Sequence, residues 1–297
     1  MGNIFGILIV RPLGMLLNVI YGAVQSYGLA IILFALLVKL VILPITYHGK
    51  KSMLRMSALQ GRLQQIQKQY AKNRVKMNEE INKLYEKEGV SPMSGCLPNV
   101  IPMFVLMGLY YAVVKPLNFM MGLSGGLPTD AGEDINLLAQ HLGIEITTSN
   151  AYTIQMEIAH RCNEFFNANG VLDPEIANLS DNIKNLLHPL NFDFFGLDLS
   201  AKPELAFSVL LLIPLLSGLT AFLSSWILQK VQGNQVQGSM KTMLYVMPLI
   251  SVYFAFQFPI AIGVYWIFNN IFTCIQELVL TKFIKKHKMA QEKKGDA

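Results

Sequence analysis

The stretch from Gly28 to Pro44 reads GLAIILFALLVKLVILP, and one charged residue, Lys39, interrupts it. A transmembrane helix needs about 20 mostly apolar residues, so this stretch, continued to Tyr47, predicts a membrane span. A central Lys costs roughly 2.5–3.5 kcal/mol, whereas each Leu, Ile, Phe or Val returns about 0.3–0.6 kcal/mol. The apolar residues together outweigh the charge, and the span is predicted to insert.

Lys39 has two interpretations within this span. Ionisable residues inside a membrane usually face a bundle interior or a water-filled cavity, where they serve a function. Tyr47, however, lies eight residues further on, about 12 Å along a helix, and a Lys side chain can extend part of that way toward the membrane surface. Both a polar cavity and this snorkelling arrangement are compatible with the sequence.

The composition is typical of a polytopic membrane protein. Of its 297 residues, 53% are hydrophobic and only 14% are charged, whereas soluble proteins carry about 25% charged residues. We therefore predict an all-α membrane protein. Its five predicted spans are residues 28–47, 97–114, 206–228, 241–257 and 260–280.

The first 27 residues do not have the pattern of a span. Their apolar start is interrupted after ten residues by Arg11 and Pro12. Residues 1–27 are predicted to form an amphipathic helix that lies in the membrane interface, with Pro12 in its first turn. A cleaved signal peptide is not expected, because the basic residue follows the apolar stretch instead of preceding it.

The distribution of basic residues predicts the orientation. Residues 48–96 carry ten Lys and Arg against four acidic residues, whereas residues 115–205 carry four against twelve. The tail, residues 281–297, is again basic. Since cytoplasmic loops are enriched in Lys and Arg, the N-terminus is predicted outside and the C-terminus in the cytoplasm.

Residues 48–96 are predicted to form a cytoplasmic helical hairpin, because apolar residues recur there at helical spacing and Gly89 supplies a stop signal. Its polar face is strongly basic. Two interpretations stay open and can coexist: a solvated helix pair close to anionic lipid headgroups, or a docking surface for a partner or a nascent chain. The basic residues assigned to this surface are Lys50, Lys51, Arg55, Arg62, Lys68, Lys72, Arg74 and Lys76.

The extracytoplasmic segment, residues 115–205, is acidic and contains two helical patterns. One lies near residues 153–166 and the other near 173–187, where Asp173 is placed to cap a helix with Pro174 in its first turn. His160 and Cys162 are two positions apart, so their side chains point away from each other on a helix. No metal site is predicted.

Motifs of nucleotide, hydrolase or metalloprotease chemistry do not occur in the sequence. There is no phosphate-binding glycine loop, no GxSxG and no HExxH. The spans also contain no pair of carboxylates or histidines suited to acid–base catalysis. We therefore expect neither an enzyme nor a cofactor.

Three strings together resemble the YidC/Oxa/Alb family of membrane protein insertases. They are LLVKLVILPIT in the first span, EEINKLYEKEGVSPMSGCLPNVIPMFVLMGLYYAV before and within the second, and FPIAIGVYWIFNNIFTCIQE in the last. The resemblance covers about residues 28–114 and 190–282. It implies a five-span bundle in a bacterial cytoplasmic membrane, with a hydrophilic groove open to the cytoplasm and to lipid. It also implies an insertase and chaperone for nascent membrane proteins.

The resemblance assigns the groove charge to Lys39, at a position that is normally Arg. Such a charge attracts acidic residues in the outer tail of an incoming protein, and the apolar segment then moves into lipid without nucleotide hydrolysis. Ala35 stands where some members have Thr, and Met103 matches an apolar contact position next to Pro102, which replaces a frequent Gln. The remaining residues that the family pattern assigns to the groove or the client path are Tyr265, Trp266, Asn269 and Gln276.

Further partners follow from the family and from charge. The basic hairpin and tail are suited to ribosomal RNA, signal recognition components or anionic lipid, and the family implies work beside the Sec translocon. Two other functions compete with the insertase. A channel or transporter with Lys39 as an anion site would be expected to show an internal repeat, which the five unequal spans lack. A structural subunit of a membrane complex would make Lys39 dispensable.

Overall fold

The structure is a computed structural model, and it describes residues 6–89, 97–124, 134–147, 154–167, 171–172, 180–203, 209–232 and 239–295. Helices dominate these ranges. A π-helical turn at Gly6–Val10 leads into α1, and a second such turn, Leu117–Met121, follows α6. The helices are α1 (Arg11–Val24), α2 (Tyr27–Val41), α3 (Leu43–Ala58), α4 (Gln60–Gln69), α5 (Arg74–Lys87), α6 (Leu97–Val114), α7 (Asp134–His141), α8 (Ile154–Arg161), α9 (Asp181–Leu186), α10 (Leu212–Gln232), α11 (Ser239–Gln257) and α12 (Ile260–Gly295).

The chain forms two compact units. The first consists of Met1–Leu36, Phe104–Gly218 and Ile250–Phe268. The second consists of Leu37–Met103, Leu219–Leu249 and Asn269–Ala297.

In the first unit, α1 packs closely on the π-helical turn Leu117–Met121. Pro12 occupies the first turn of α1, where its missing N–H leaves no helical bond unmade. Gly14 is buried, and a Cβ atom there would lie 2.3 Å from the carbonyl oxygen of Phe119. Only glycine permits this approach of two backbones.

The described part of residues 115–205, the segment predicted to be extracytoplasmic, has its own apolar core in the first unit. Fully buried side chains from α7, α8, α9 and the following loop meet there, among them Ile135, Ile158 and Phe192. Polar groups inside this segment are satisfied: the Asp134 carboxylate accepts hydrogen bonds from the backbone N–H and the hydroxyl of Ser124, at 3.0 and 2.7 Å. Because buried polar groups need such partners, these bonds fix the start of α7.

A two-stranded antiparallel hairpin ends this segment, with β1 at Asp193–Phe194 and β2 at Leu197–Asp198. The two turn residues, Phe195 and Gly196, have φ angles of 55° and 76°, the combination found in tight turns that match strand twist. After the hairpin, the backbone N–H groups of Ile260 and Ala261 donate to carbonyls of Ala201 and Leu199, at 2.9 and 3.0 Å. Residues 199 and 201 of this segment therefore satisfy the first N–H groups of α12.

The observed helices of this segment partly follow the predicted ones. Helix α8 and the 3-10 turn Cys162–Phe165 lie within predicted residues 153–166. In the second pattern, α9 begins at Asp181 and is capped by Ser180, whose hydroxyl accepts from the Ile183 N–H at 3.4 Å. The predicted cap Asp173 and Pro174 lie outside the described residues.

The first predicted span, residues 28–47, is bent. Helices α2 and α3 meet at a break after Val41, and their axes differ by 54°. Pro44 lies in the first turn of α3 and lacks the N–H that would continue the hydrogen bonding of α2. The missing N–H of Pro44 therefore accounts for the bend, which lies three residues beyond Lys39.

Helices α4 and α5 of the second unit contact each other. Asn73 caps α5 by accepting from the Lys76 N–H at 3.1 Å, and α5 ends just before Gly89, whose φ is 60°. Arg62 on α4 and Glu88, which follows α5, are joined by an ion pair of 2.7 Å. Helices α4 and α5 thus run antiparallel to each other, and both lie within residues 48–96, which were predicted to form a helical hairpin.

Within the described ranges, two single helices are long and apolar enough to cross a membrane, Gly6–Val24 and Val209–Lys230. The bent pair α2–α3 is a third candidate, and Phe104–Val114 and Pro248–Gln257 are shorter apolar helices. By length and composition, the helix within residues 1–27, which were predicted to lie in the interface, is therefore also a candidate membrane span. The count of five spans stays a prediction.

Candidate functional site

Lys39 makes a specific contact in the second unit. It lies near the end of α2 and is half-buried, and its Nζ atom donates a hydrogen bond of 2.9 Å to Oγ1 of Thr273 on α12. An ammonium group has three donors, and this bond uses one of them. Lys39 is therefore held by a neutral oxygen, which leaves its positive charge uncompensated at this contact.

Thr273 is itself oriented by a second bond. Its hydroxyl donates to the backbone carbonyl of Asn269 at 2.6 Å, one turn earlier on α12. Because the hydroxyl proton is used in that bond, a lone pair of Oγ1 is left to accept from Lys39. This local geometry fixes the position of the ammonium group.

A polar stripe runs along α12 at four-residue spacing through Asn269, Thr273 and Glu277. Residues four apart lie on the same face of a helix. The Glu277 carboxylate forms an ion pair with Lys50 of α3, and the side chains of these two residues are 14% and 2% exposed. The second unit thus places two lysines and one carboxylate along one face of α12.

Two further polar residues of α12 differ in their surroundings. The Nδ2 atom of Asn270 donates to Thr220 Oγ1 at 3.3 Å, which is an interhelical contact to α10. Gln276 is half-buried, and its buried Nε2 atom has no hydrogen-bond partner among the described residues. A buried amide without a partner is costly to the fold, and the assignment of Gln276 to the groove stays a prediction.

The aromatic pair and Ala35 belong to the first unit. Tyr265 is buried, whereas Trp266 is half-buried and its ring centroid lies 5.9 Å from that of Phe258. Ala35 is buried on α2, one turn before Lys39. Met103 lies on α6, and its side chain is outside the described side chains. The assignment of these four residues to the path of a client protein stays a prediction.

Lys50 differs from the other residues of the predicted docking surface. It is buried and paired with Glu277, and a buried ammonium group cannot meet a large partner, so Lys50 is removed from that surface. The other seven residues are exposed: Lys51, Arg55, Arg62, Lys68, Lys72, Arg74 and Lys76.

Sequence reasoning missed Thr273 and the role of Glu277. Asn269, Thr273 and Glu277 recur at a spacing of four within a mostly apolar run, and this periodicity was the available signal. Their partners Lys39 and Lys50 are 234 and 227 positions away, so no local pattern indicates the pairing.

Two groups within residues 115–205 have perturbed pKa values. Burial raises the pKa of the Cys162 thiol to about 12, which keeps it protonated and unreactive at neutral pH. Burial lowers the pKa of His188, against a smaller opposing effect of its hydrogen bond to the Leu186 carbonyl. Among the described residues no group of three or more His, Cys, Asp and Glu side chains is arranged to hold a metal ion.

Long apolar helices, with a charged and hydrogen-bonded cluster between them, define the class: the chain is a helical integral membrane protein. Comparison with known families then gives the family. Residues 19–288 match the family model described as 60Kd inner membrane protein, and the chain belongs to this family.

Individual relatives carry the name membrane protein insertase YidC. The one from Chlorobium limicola is 26% identical over 259 residues, which is 87% of this chain and 34% of that protein. The one from Nitratidesulfovibrio vulgaris is 29% identical, covering 91% of this chain and 38% of the relative. The one from Oceanobacillus iheyensis is 26% identical over 94% of this chain and 84% of the relative. The chain thus spans about a third of the first two and most of the third.

Proposed function

We propose that this chain is a membrane protein insertase and chaperone that transfers nascent membrane proteins into the bacterial cytoplasmic membrane. The observation that carries the proposal is the bond from Lys39 to Thr273. It holds an ammonium group against a neutral oxygen at a contact between α2 and α12. Family membership and the names of the relatives support the same function.

The proposed mechanism begins with electrostatic attraction. A carboxylate in the outer tail of a client binds the ammonium group of Lys39, because opposite charges in a partly desolvated site attract strongly. The fixed charge and any water around it reduce the cost of moving a polar tail into the membrane. The apolar segment of the client then gains burial in lipid, so the free energy for insertion comes from the client itself and no enzymatic step is needed.

The proposed orientation places the N-terminus outside and the C-terminus in the cytoplasm. It rests on the excess of Lys and Arg in residues 48–96 and in the tail. In this orientation the extracytoplasmic segment, residues 115–205, lies outside. The basic residues of α3, α4 and α5 face the cytoplasm, where ribosomes, signal recognition components and anionic lipids are the proposed partners, with the Sec translocon as a further one.

Insertion of a small client with an acidic outer tail into proteoliposomes tests the proposal. The comparison includes empty vesicles, the wild-type chain, Lys39→Arg and Lys39→Ala. Insertion by the wild type and by Lys39→Arg, with a loss in Lys39→Ala, is expected, since both long side chains carry the positive charge.

Two other outcomes would contradict parts of the proposal. Insertion that survives Lys39→Ala would assign Lys39 to snorkelling and leave the insertase without its charged site. No insertion above empty vesicles would exclude the insertase and favour a channel or a structural subunit.

A further inference from the structure

The ion pair of Lys50 and Glu277 is not used by the mechanism described above. It lies in the second unit and shares α12 with the Lys39 contact, since Glu277 is four residues beyond Thr273, while Lys50 is on α3 and Lys39 on α2. Four residues correspond to about 6 Å along a helix. Two lysines therefore lie close to one carboxylate.

The carboxylate of Glu277 is a potential competitor for Lys39. It is the same chemical group that a client's acidic tail would present, and it is tethered within one helical turn of the Thr273 contact. A tethered group has a high effective concentration, so Glu277 would outcompete a client if it were free. In the structure it is instead paired with Lys50, while Lys39 is bonded to the neutral Thr273 hydroxyl.

We propose that Lys50 is a positioning residue that sequesters Glu277, and so keeps the Lys39 ammonium group available for client carboxylates. This inference rests on the proposed function, and it concerns which clients that function accepts. Lys39, Lys50 and Glu277 together carry a net charge of one positive. Removing Lys50 makes the cluster neutral, removing Glu277 makes it doubly positive, and removing both restores the single positive charge.

Substitution to Gln at both positions gives a four-point test of selectivity. The quantity measured is the ratio of insertion for an acidic-tailed client to that for the same client with its acidic residues changed to Gln. In Lys50→Gln the ratio should fall about tenfold, because Glu277 turns to Lys39 and its charge opposes the acidic tail. In Glu277→Gln the ratio should rise, and in the double variant it should return to near the wild-type ratio.

A purely structural role of the Lys50–Glu277 ion pair predicts a different pattern of insertion among these variants. Breaking a buried ion pair from either side leaves a lone charge and is destabilising, so a merely structural pair would give two single variants that both lose insertion of both clients alike. Lys87→Gln serves as the matched control, since it removes one Lys charge from an exposed position of α5. Equal ratios in the two single variants, or a double variant that stays as low as Lys50→Gln, would overturn the proposal.

A second measurement does not depend on insertion. Acylation of the Lys39 amine by an amine-reactive ester, followed by mass spectrometry of the protein in lipid nanodiscs, reports whether a carboxylate shields it. The rate should fall in Lys50→Gln and recover in the double variant. If the wild type inserts no client but this pattern holds, the proposed function fails and the sequestration of Glu277 stands. An unchanged rate in Lys50→Gln would overturn the sequestration itself.

Discussion

The hydroxyl of Thr273 links Lys39 to the backbone of α12 through two hydrogen bonds. Its Oγ1 atom accepts from the Lys39 ammonium group at 2.9 Å and donates to the Asn269 carbonyl at 2.6 Å. Valine has nearly the same shape as threonine but can make neither bond. Hydrogen bonds to charged groups contribute about 1.5–3 kcal/mol, so Thr273→Val is expected to lower insertion of an acidic-tailed client about tenfold. Thr273→Ser keeps the hydroxyl and should retain most insertion.

A matched control for this prediction is Thr220→Val, which removes a hydroxyl that accepts a neutral bond from Asn270 at 3.3 Å. This variant should not change the preference for acidic tails. If the two valine variants reduce insertion of acidic and neutral clients by the same factor, Thr273 acts through packing and not through Lys39.

Two glycines of α1 are expected to respond in opposite directions to alanine. At Gly14 the added Cβ would lie 2.3 Å from the Phe119 carbonyl oxygen, whereas at Gly22 it meets nothing within 4 Å. Gly14→Ala should lower the free energy of unfolding by about 1–3 kcal/mol through overpacking. Gly22→Ala should raise it by up to about 1 kcal/mol, since alanine favours a helix. Melting temperatures of the purified variants in detergent measure both effects, and equal shifts would contradict the close packing of α1 on Phe119.

His188 is expected to make the stability depend on pH. Burial lowers its pKa in the folded protein, so near and below its ordinary value of about 6.5 the unfolded chain binds a proton that the folded chain does not. Its contribution is therefore intact at neutral pH and is lost as the pH falls below that value. The melting temperature should decrease from pH 7.5 to pH 5.5, and the slope should be smaller in His188→Gln. A slope that the substitution leaves unchanged would assign the pH dependence to other groups.

The exposed basic surface is expected to bind ribosomes through charge. Changing Lys68, Lys72 and Lys76 to Gln together should weaken co-sedimentation with ribosomes, because each lysine that neutralises an RNA phosphate releases a counterion on binding. The slope of log affinity against log salt should decrease by about 2–3. Lys184→Gln with Lys202→Gln removes charge from the segment predicted to be extracytoplasmic as a control, and an equal loss of binding there would argue against a specific cytoplasmic surface.

Local patterns in the sequence predicted what depends on local physics. The helical pattern near residues 153–166 located α8, and the isolated charge in an apolar run singled out Lys39. The DFFGLD hairpin was not predicted, because Phe195 at a φ of 55° is an unusual residue for that turn. Lys50 was predicted to join a docking surface because a lysine next to other basic residues usually faces solvent. Its partner Glu277 is 227 positions away, and only the folded chain brings the two together.

The bonds of Tyr21 have a consequence for the order in which the protein folds. Its phenol donates to the Pro189 carbonyl and accepts from the Asn191 N–H, across 168 and 170 positions of sequence. Chains are synthesised at about 5–20 residues per second, so roughly 10–30 s pass between the synthesis of Tyr21 and that of its partners. During this interval the first helix is already synthesised, but Tyr21 has no native hydrogen-bond partner at these two atoms. A protein proposed to chaperone other nascent chains thus has an N-terminal helix whose own long-range bonds must wait for residues 189–191.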